Sequence, residues 1–445
     1  MSIVSLSCLG ENVGIPTRGE QDAVGEEICR WRERVVPEDE LQAIVDELAE
    51  RLQRSAAIDG PDIRLLAASR HFGDEDRLRI DSVLNRSVPP DVVELIRTHG
   101  VSQWTKPGIL ELGGILDATP RLCAPVRCHG QLLGYLWLLD RDGTLSDQEV
   151  AAAGEAAERA GTVLYRRLLV RQRSRARHEA ILRDLVSPDT MIRSQAIDDM
   201  RAEGLFPDGP MHFTVLAVQC RSDDPTHTER EVELEAAVEE GAGAVTDDVV
   251  LIATHRSRAW LLLAQRRPPT RYLVDTIADR ITTRFNGLTR STSKPVFGLG
   301  PTVDRLDQVA DSYRKAVRAA RTALLVPGVG NPARWGELGP YELLITLAPD
   351  DLAEASRTPD LVALENADAH GDLIDTLTTF FDHGGSARQA ADALCIHRAT
   401  LYQRLRRIEK VTGRDLRNGD DRLALHLGLK LRSLAIAFRV NPHTN

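Results

Sequence analysis

The chain is expected to fold as a multidomain α+β and α/β protein that ends in an all-α module. Three observations predict this. Its 445 residues exceed what a single core organises, so two to four domains are expected. Strand-type apolar runs and helical periodicity alternate between residues 63 and 325, whereas residues 373–440 show only the 3.6-residue period. That end also carries the opposite charge: residues 383–440 hold 12 Lys+Arg against 5 Asp+Glu, net +7, in a chain of net −10, which leaves −17 for the rest. A basic module on an acidic body points to an anionic partner for this end alone.

Composition bounds the class further. A hydrophobic content of 42% with 27% charged residues is that of a soluble globular protein. No apolar run reaches the 18 residues of a membrane span, and Met1-Ser2-Ile3-Val4-Ser5-Leu6 lacks the basic and apolar regions of a secretion signal. A cytoplasmic protein without membrane contact is expected. The six cysteines (Cys8, Cys29, Cys123, Cys128, Cys220, Cys395) are scattered. Cys123 and Cys128, with His129, have no second ligand pair and sit in a strand pattern, so burial is expected rather than metal. Only 5 of the 56 basic residues are lysines, an arginine bias that a GC-rich genome produces by itself and that therefore says little about nucleic acid.

The elements follow in order. Residues 1–36 read as a leader with a short helix near Glu26–Val36. Residues 37–55 form an amphipathic helix through Leu41, Ile44, Val45, Leu48 and Leu52, followed by a strand at Ile63–Ala68 and a helix at Val92–Thr98. Arg121–Arg127 and Leu132–Leu139 are strands joined by a turn at His129-Gly130. Cys123-Ala124-Pro125-Val126 and Gly134-Tyr135-Leu136-Trp137, in this setting, resemble a GAF-type sensor domain, placed at residues 37–170 with its exit helix. The resemblance implies a small-molecule pocket that Trp104 and Trp137 would line, although both also suit an ordinary core.

Ser146 caps the next helix, and Glu149 completes a capping box. Its pattern continues to about Leu185 with a break expected near Arg171–Arg175; unbroken, it would span roughly 55–60 Å. The basic run Arg166–Arg177 reads as a solvated connector face. Within 171–330, Phe213–Gln219, Val249–Thr254, Ala259–Ala264 and Pro295–Leu299 are strands, and Leu306–Leu325 a helix. Their order, with Gly298-Leu299-Gly300 and Tyr313-Arg314-Lys315-Ala316, resembles the GGDEF-like domain of CdaR and PucR regulators. The hairpin tip decides the chemistry. A diguanylate cyclase needs Gly-Gly there to admit nucleotide and carboxylates to hold Mg²⁺. His255-Arg256-Ser257-Arg258 is bulky and cationic, so the domain is expected to be degenerate and non-catalytic, with a scaffold or dimerisation role. Phosphate-loop, His-Glu-x-x-His, Gly-x-Ser-x-Gly and Cys-x-x-Cys motifs are absent, so no catalytic residue, metal or cofactor is nominated.

Residues 331–372 are linker helices, and residues 373–440 the terminal module. After Gly384-Gly385, Ser386 caps a helix with Gln389 closing a capping box, and Ala390, Ala393 and Leu394 supply its apolar face. Cys395-Ile396-His397 turns the chain. His397 caps a second helix that stops at Gly413. Leu401, Leu405 and Ile408 recur at i, i+4, i+7 and face inward; Ala399, Gln403, Arg406 and Lys410 lie opposite, with Arg398 and Tyr402 on one flank and Thr400, Arg404 and Arg407 on the other. This is a helix-turn-helix with a recognition helix suited to the major groove. Gln pairs with adenine N6 and N7, and Arg with guanine O6 and N7. Ala399, Thr400 and Gln403 are therefore assigned to base edges, Arg406 to a base or phosphate, and Arg398, Arg404, Arg407 and Lys410 to phosphates. The Leu423, Leu427 and Leu431 repeat of a final helix at Asp421–Ala437 suits packing on the helix-turn-helix or on a partner subunit.

Arg398-x-Thr400-Leu401-x-x-Arg404-Leu405-x-Arg407-Ile408, then Thr412-Gly413-x-Asp415-Leu416 and Asp420-Asp421-Arg422-Leu423-Ala424-Leu425-His426-Leu427, resemble the C-terminal helix-turn-helix of PucR-type transcriptional regulators, an arrangement CdaR-type regulators share. In that family the residue after the leading Arg is commonly Asn, and an aromatic often stands where Gln403 is. Ala399 and Gln403 depart from both, which alters the base preference rather than the binding mode. The resemblance implies a bacterial regulator binding operator DNA as a homodimer or higher oligomer, with a small-molecule effector. The alternatives are a signalling or scaffold protein using the basic end for protein contacts, and a nucleotide cyclase.

Overall fold

In a computed structural model the structure describes residues 39–440, apart from 75, 86–87, 113–118, 142, 221–226, 246–248, 290–293 and 369–370. The expected leader, the helix near Glu26–Val36, Cys8 and Cys29 lie outside the described residues. The chain divides into two compact units after Ala176.

The first unit is built on a five-stranded antiparallel sheet in the order β2-β1-β5-β4-β3, from β1 (Ala56–Asp59), β2 (Leu65–Ala68), β3 (Gly108–Leu110), β4 (Arg121–Cys128) and β5 (Gln131–Leu139). Successive strand side chains point to opposite faces, and the sequence uses both. Leu122, Ala124, Val126, Leu136 and Leu138 face helix α1 (Asp39–Leu52) and the start of α4 (Asp147–Leu185). Cys123, Tyr135 and Trp137 face α2 (Arg77–Asn85) and α3 (Pro90–Thr98). The inward face of α4 is nearly all alanine (Ala152, Ala153, Ala156, Ala157, Ala160), so its backbone lies close to the sheet. Closeness is extreme at Gly161, where a Cβ would stand 2.4 Å from the Arg127 carbonyl oxygen. His129 and Gly130 take φ of 50° and 80°, the left-handed pair that closes a two-residue hairpin between β4 and β5.

The capping box at α4 is complete. Ser146 donates to Glu149 Oε2 from both its amide and its hydroxyl, each at 2.7 Å, and Oγ accepts from Glu149 N at 3.3 Å. The helix runs without the expected break at Arg171–Arg175. β1, β3 and α2 are additional to the expected elements, and the strand expected at Ile63–Ala68 begins only at Leu65.

The second unit opens on the last turns of α4 and on α5 (Thr190–Ala202). Its sheet has the order β10-β9-β6-β8-β7, from β6 (His212–Gln219), β7 (Val249–His255), β8 (Arg258–Gln265), β9 (Val296–Leu299) and β10 (Ala333–Arg334). Among the described residues, only β9 and β10 pair in parallel in this sheet. One face is covered by α6 (His227–Ala242) and α7 (Arg271–Leu288), through Leu234, Val238, Val274, Ile277 and Phe285. The other is covered by α4, α5 and α8 (Val309–Leu325), through Leu182, Leu185, Met200, Ala316 and Ala320. A Cβ on Gly298 would stand 2.1 Å from both Ala316 O and Ala320 N, so only glycine lets α8 seat on β9.

Short helices α9 (Tyr341–Leu344), α10 (Pro349–Ala355) and α11 (Pro359–Ala367) lead to α12 (Asp372–Asp382), α13 (Ala387–Ala393), α14 (Arg398–Thr412) and α15 (Gly419–Val440). Among the described residues, no helix is long and apolar enough to cross a membrane.

Candidate nucleic-acid interface

Helices α13 and α14 form the helix-turn-helix, and each boundary has a local cause. Gly384 and Gly385 take φ of 65° and 83°, and Gly385 N donates to Phe380 O at 2.8 Å, which ends α12. Ser386 Oγ accepts from Gln389 N at 3.4 Å. The expected capping box is only half formed, because Ser386 N donates to His383 O rather than to the Gln389 side chain. Cys395 turns the chain at φ 52°, a left-handed conformation that costs a residue with a side chain about 1–2 kcal/mol. His397 is the cap of α14, its Nδ1 accepting from Ala399 N at 3.2 Å. Gly413, at φ 70°, ends that helix as expected.

Leu401, Leu405 and Ile408 are buried among Leu373, Leu377, Phe380, Phe381, Leu425 and Leu429. On α13 the buried pair is Ala390 and Ala391. Ala393, expected inside, is exposed, because in so short a helix the face is set by the approach of α14. Likewise the stripe expected on α15 is not the face that packs on the helix-turn-helix. Leu423 is 65% and Leu427 40% exposed, while Leu425, Leu429 and Leu431 are buried.

With that face anchored, Arg398, Ala399, Thr400, Tyr402, Gln403, Arg406, Arg407 and Lys410 are exposed on one continuous side of α14. Among the described residues, no carboxylate lies within ion-pair distance of the four cations in this set, whereas Arg404 has one. Arg404 pairs with Asp372 at 3.1 Å and donates to Thr376 Oγ1 at 3.2 Å, both on α12. Its side chain is turned back into the module, away from the face to which the sequence assigned it. Arg407 Nη2 donates to the Ala367 carbonyl at 3.0 Å, which fixes its stem while leaving it exposed. Each inward leucine of α14 contributes roughly 1.5–3 kcal/mol, against at most about 1 kcal/mol for a partly exposed ion pair. Apolar packing therefore holds the helix, and Arg404 adjusts its orientation.

Beyond α14, Arg414 bridges Asp360 and Asp421, both at 2.9 Å, tying the end of the recognition helix to α11 and α15. Arg388, exposed on α13, joins the cationic surface and was not among the expected site residues. Nothing in its neighbourhood in sequence separates it from an ordinary solvated arginine. Tyr402, 52% exposed on the same face, is likewise unassigned, a large aromatic outside the i, i+4, i+7 set.

The other expected sites are placed as follows. Trp137 is 7% exposed and lines a cavity in the first unit, together with Asp59, Arg79 and Arg121. Trp104 packs on the same apolar cluster, but lies outside that cavity's wall. In the second unit, Arg256 and Ser257 form the two-residue tip between β7 and β8, with Arg256 at φ 56° and its amide donating to Glu231 Oε1 at 2.8 Å. Glu179 on α4 accepts from Thr254 N at 3.1 Å and pairs with Arg183. Among the described residues, no group of three or more His, Cys, Asp or Glu side chains could hold a metal ion.

Comparison with known proteins agrees with this architecture. Residues 373–431 match the PucR C-terminal helix-turn-helix domain, and residues 192–322 the GGDEF-like domain. The proline-responsive transcriptional activator PutR of Bacillus subtilis is 21% identical over 410 residues, spanning 90% of this chain and 98% of that protein. The carbohydrate diacid regulator of Escherichia coli is 36% identical over 124 residues, 27% of this chain and 32% of that protein. Among solved structures, the cofactor-binding GAF domain of the nutrient sensor CodY from Clostridium difficile covers 33% of this chain and 97% of that one, at 12% identity and a TM-score of 0.25. With its terminal helix-turn-helix domain of PucR type behind a GGDEF-like domain, the chain is similar to PucR/CdaR-type DNA-binding transcriptional regulators.

Proposed function

We propose that the chain is a cytoplasmic one-component regulator that inserts α14 into the major groove of operator DNA. It acts as a homodimer or higher oligomer, with one recognition helix per half-site, and a small molecule bound by the first unit controls it. The observation that carries this reading is the exposed side of α14. Thr400 and Gln403 sit near its start, where base edges are within reach, and Arg398, Arg406, Arg407 and Lys410 surround them with charge. The GGDEF-like domain serves as a scaffold and has no catalytic role. Its hairpin tip is cationic, and the carboxylates beside it, Glu179 and Glu231, are engaged by backbone amides.

The decisive measurement is binding to the chain's own promoter region as a function of salt. Removing one phosphate contact by Arg406→Ala should weaken binding and reduce the salt slope by about 1. An unchanged affinity with an unchanged slope would overturn the assignment of this face. A separate incubation with GTP and Mg²⁺ should yield no cyclic dinucleotide, and turnover would refute the non-catalytic role.

A further inference from the structure

Helix α15 carries an apolar stripe besides the one buried in the helix-turn-helix. At about 100° per residue, Leu423, Leu427, Leu431, Leu434 and Phe438 fall within about 80° of one another, on the side turned away from Leu425 and Leu429. The two halves of the stripe differ. Leu431, Leu434 and Phe438 are buried among Leu325, Val326, Leu344 and Leu352. Leu423 and Leu427 are left 65% and 40% exposed. Leucines scattered singly are ordinary on a surface, whereas a stripe that carries a core out into solvent marks an interaction surface.

Charged residues of opposite sign close the bare stretch. Asp420, in the first turn, is exposed, and among the described residues no cation lies within ion-pair distance of it. Lys430 stands ten residues on, roughly 15 Å along the axis. It pairs with Asp382 at 2.9 Å and keeps its side chain 20% exposed. Asp420, Leu423, Leu427 and Lys430 again share a sector of about 80°. The series acid, leucine, leucine, base is its own complement when turned end for end. Acid then meets base and Leu423 meets Leu427, whereas a parallel pair would set acid on acid. The occupant with the matching pattern is therefore a second copy of the same helix.

We propose that two copies of α15 pack antiparallel about a two-fold axis level with Leu425, Leu423 of each against Leu427 of the partner subunit and Asp420 of each beside Lys430 of the partner subunit. Every contact in such an arrangement is made twice. It lies across α15 from the helix-turn-helix core, so the exposed side of α14 stays open to DNA. A stable interface buries upward of about 1,000 Å², more than two leucines per copy supply. The contact thus positions the two DNA-binding modules within the oligomer rather than holding the oligomer alone. This rests on the homo-oligomer reading and gives it a surface.

Disulfide trapping in the full chain tests the inference. Leu423→Cys and Leu427→Cys are prepared separately in a background with Cys8, Cys29, Cys128 and Cys395 changed to Ser; Cys123 and Cys220 are buried. Disulfides form only where Cα atoms come within about 7 Å. After subunit exchange and oxidation, the mixture should give a covalent dimer, and either preparation alone at least about fivefold less. A mixture that traps no more than its components would overturn the proposal. Asp420→Lys in both preparations sets like charges together and should lower the yield severalfold; an undiminished yield would overturn the register. Sedimentation of the unaltered chain separates two failures. A monomer at every concentration refutes the homo-oligomer itself, while a stable oligomer that does not trap refutes this surface alone. Cysteines that neither trap nor react with a maleimide would show that another segment covers the stripe, and would equally refute the pairing.

Discussion

Replacing Asp59 with Asn should stabilise the first unit, although it removes a charge from beside two arginines. The carboxyl is pushed from 3.8 to about 6 because burial disfavours its charged form, and the pull of Arg79 and Arg121 is already inside that net shift. About two units at 1.36 kcal/mol each means that ionised Asp59 costs roughly 3 kcal/mol at neutral pH. At 6% exposure, little of this is lost to solvent screening. The sign follows from proton counting. Between pH 4 and 6 the folded chain holds a proton on Asp59 that the unfolded chain has released, so stability falls as pH rises through this window and is flat above it. Asn carries no such proton. The variant and the natural chain should therefore be alike at pH 4 and diverge to about 3 kcal/mol by pH 7. Hydrogen exchange at the amides of β4 and β5 reads this directly, as protection raised on the order of a hundredfold at pH 7. Equal or lower protection in the variant at pH 7, or an advantage that persists undiminished at pH 4, would refute the electrostatic account.

Two further outcomes test the interior of the second unit. Arg404→Ala should lower the stability of the terminal module by about 1 kcal/mol through loss of Asp372 and Thr376, and weaken DNA binding while leaving the salt slope unchanged, in contrast to Arg406→Ala; a slope reduced by about 1 would make Arg404 a phosphate contact after all. Gly298→Ala should destabilise by about 3 kcal/mol or more, because the added carbon meets the backbone of α8 at 2.1 Å and has no flexible neighbour to displace; urea denaturation with an unshifted midpoint would show that α8 is free to retreat.

What the sequence made legible is what local periodicity encodes. The alternation through Leu122, Ala124 and Val126 marked β4, and Leu401, Leu405 and Ile408 marked the buried face of α14. Gly413 and the Ser146–Glu149 pair marked helix ends because capping is chemistry between near neighbours. The missed elements lack such a signature. All four residues of β1 are buried, so it shows no alternation, and α2 carries a buried arginine where a solvated face was to be expected. The polar wall of the cavity was illegible for the same reason. Asp59, Arg79 and Trp137 are far apart in sequence, and the first two read as surface until the sheet and α2 enclose them. At α14 the exposed face was legible, but the direction of Arg404 depends on Asp372 and Thr376, residues about thirty positions earlier.

The exposed leucines of α15 follow from a different geometry, and this bears on how a signal can reach DNA. At 100° per residue, Leu425 and Leu429 lie within about 40° of each other, whereas Leu431, Leu434 and Phe438 lie about 180–240° from Leu425. The first pair packs into the helix-turn-helix core, the second set against Leu325, Val326, Leu344 and Leu352. One helix thus belongs to two cores on opposite sides, which is why no single stripe describes it. Arg321 of α8 also stacks over Phe438 at 4.3 Å, and Lys430 pairs with Asp382 at 2.9 Å. Pulling α15 away from α8 and the linker helices would expose three large apolar side chains, at roughly 1.5–3 kcal/mol each. Effector coupling is typically about 1–3 kcal/mol. That is too little to detach the helix-turn-helix from its neighbours, and enough to choose between two placements of the joined pieces. In the homo-oligomer proposed above, control of DNA binding should therefore act on the spacing of whole subunits and their recognition helices, with α15 transmitting the movement as a rigid strut.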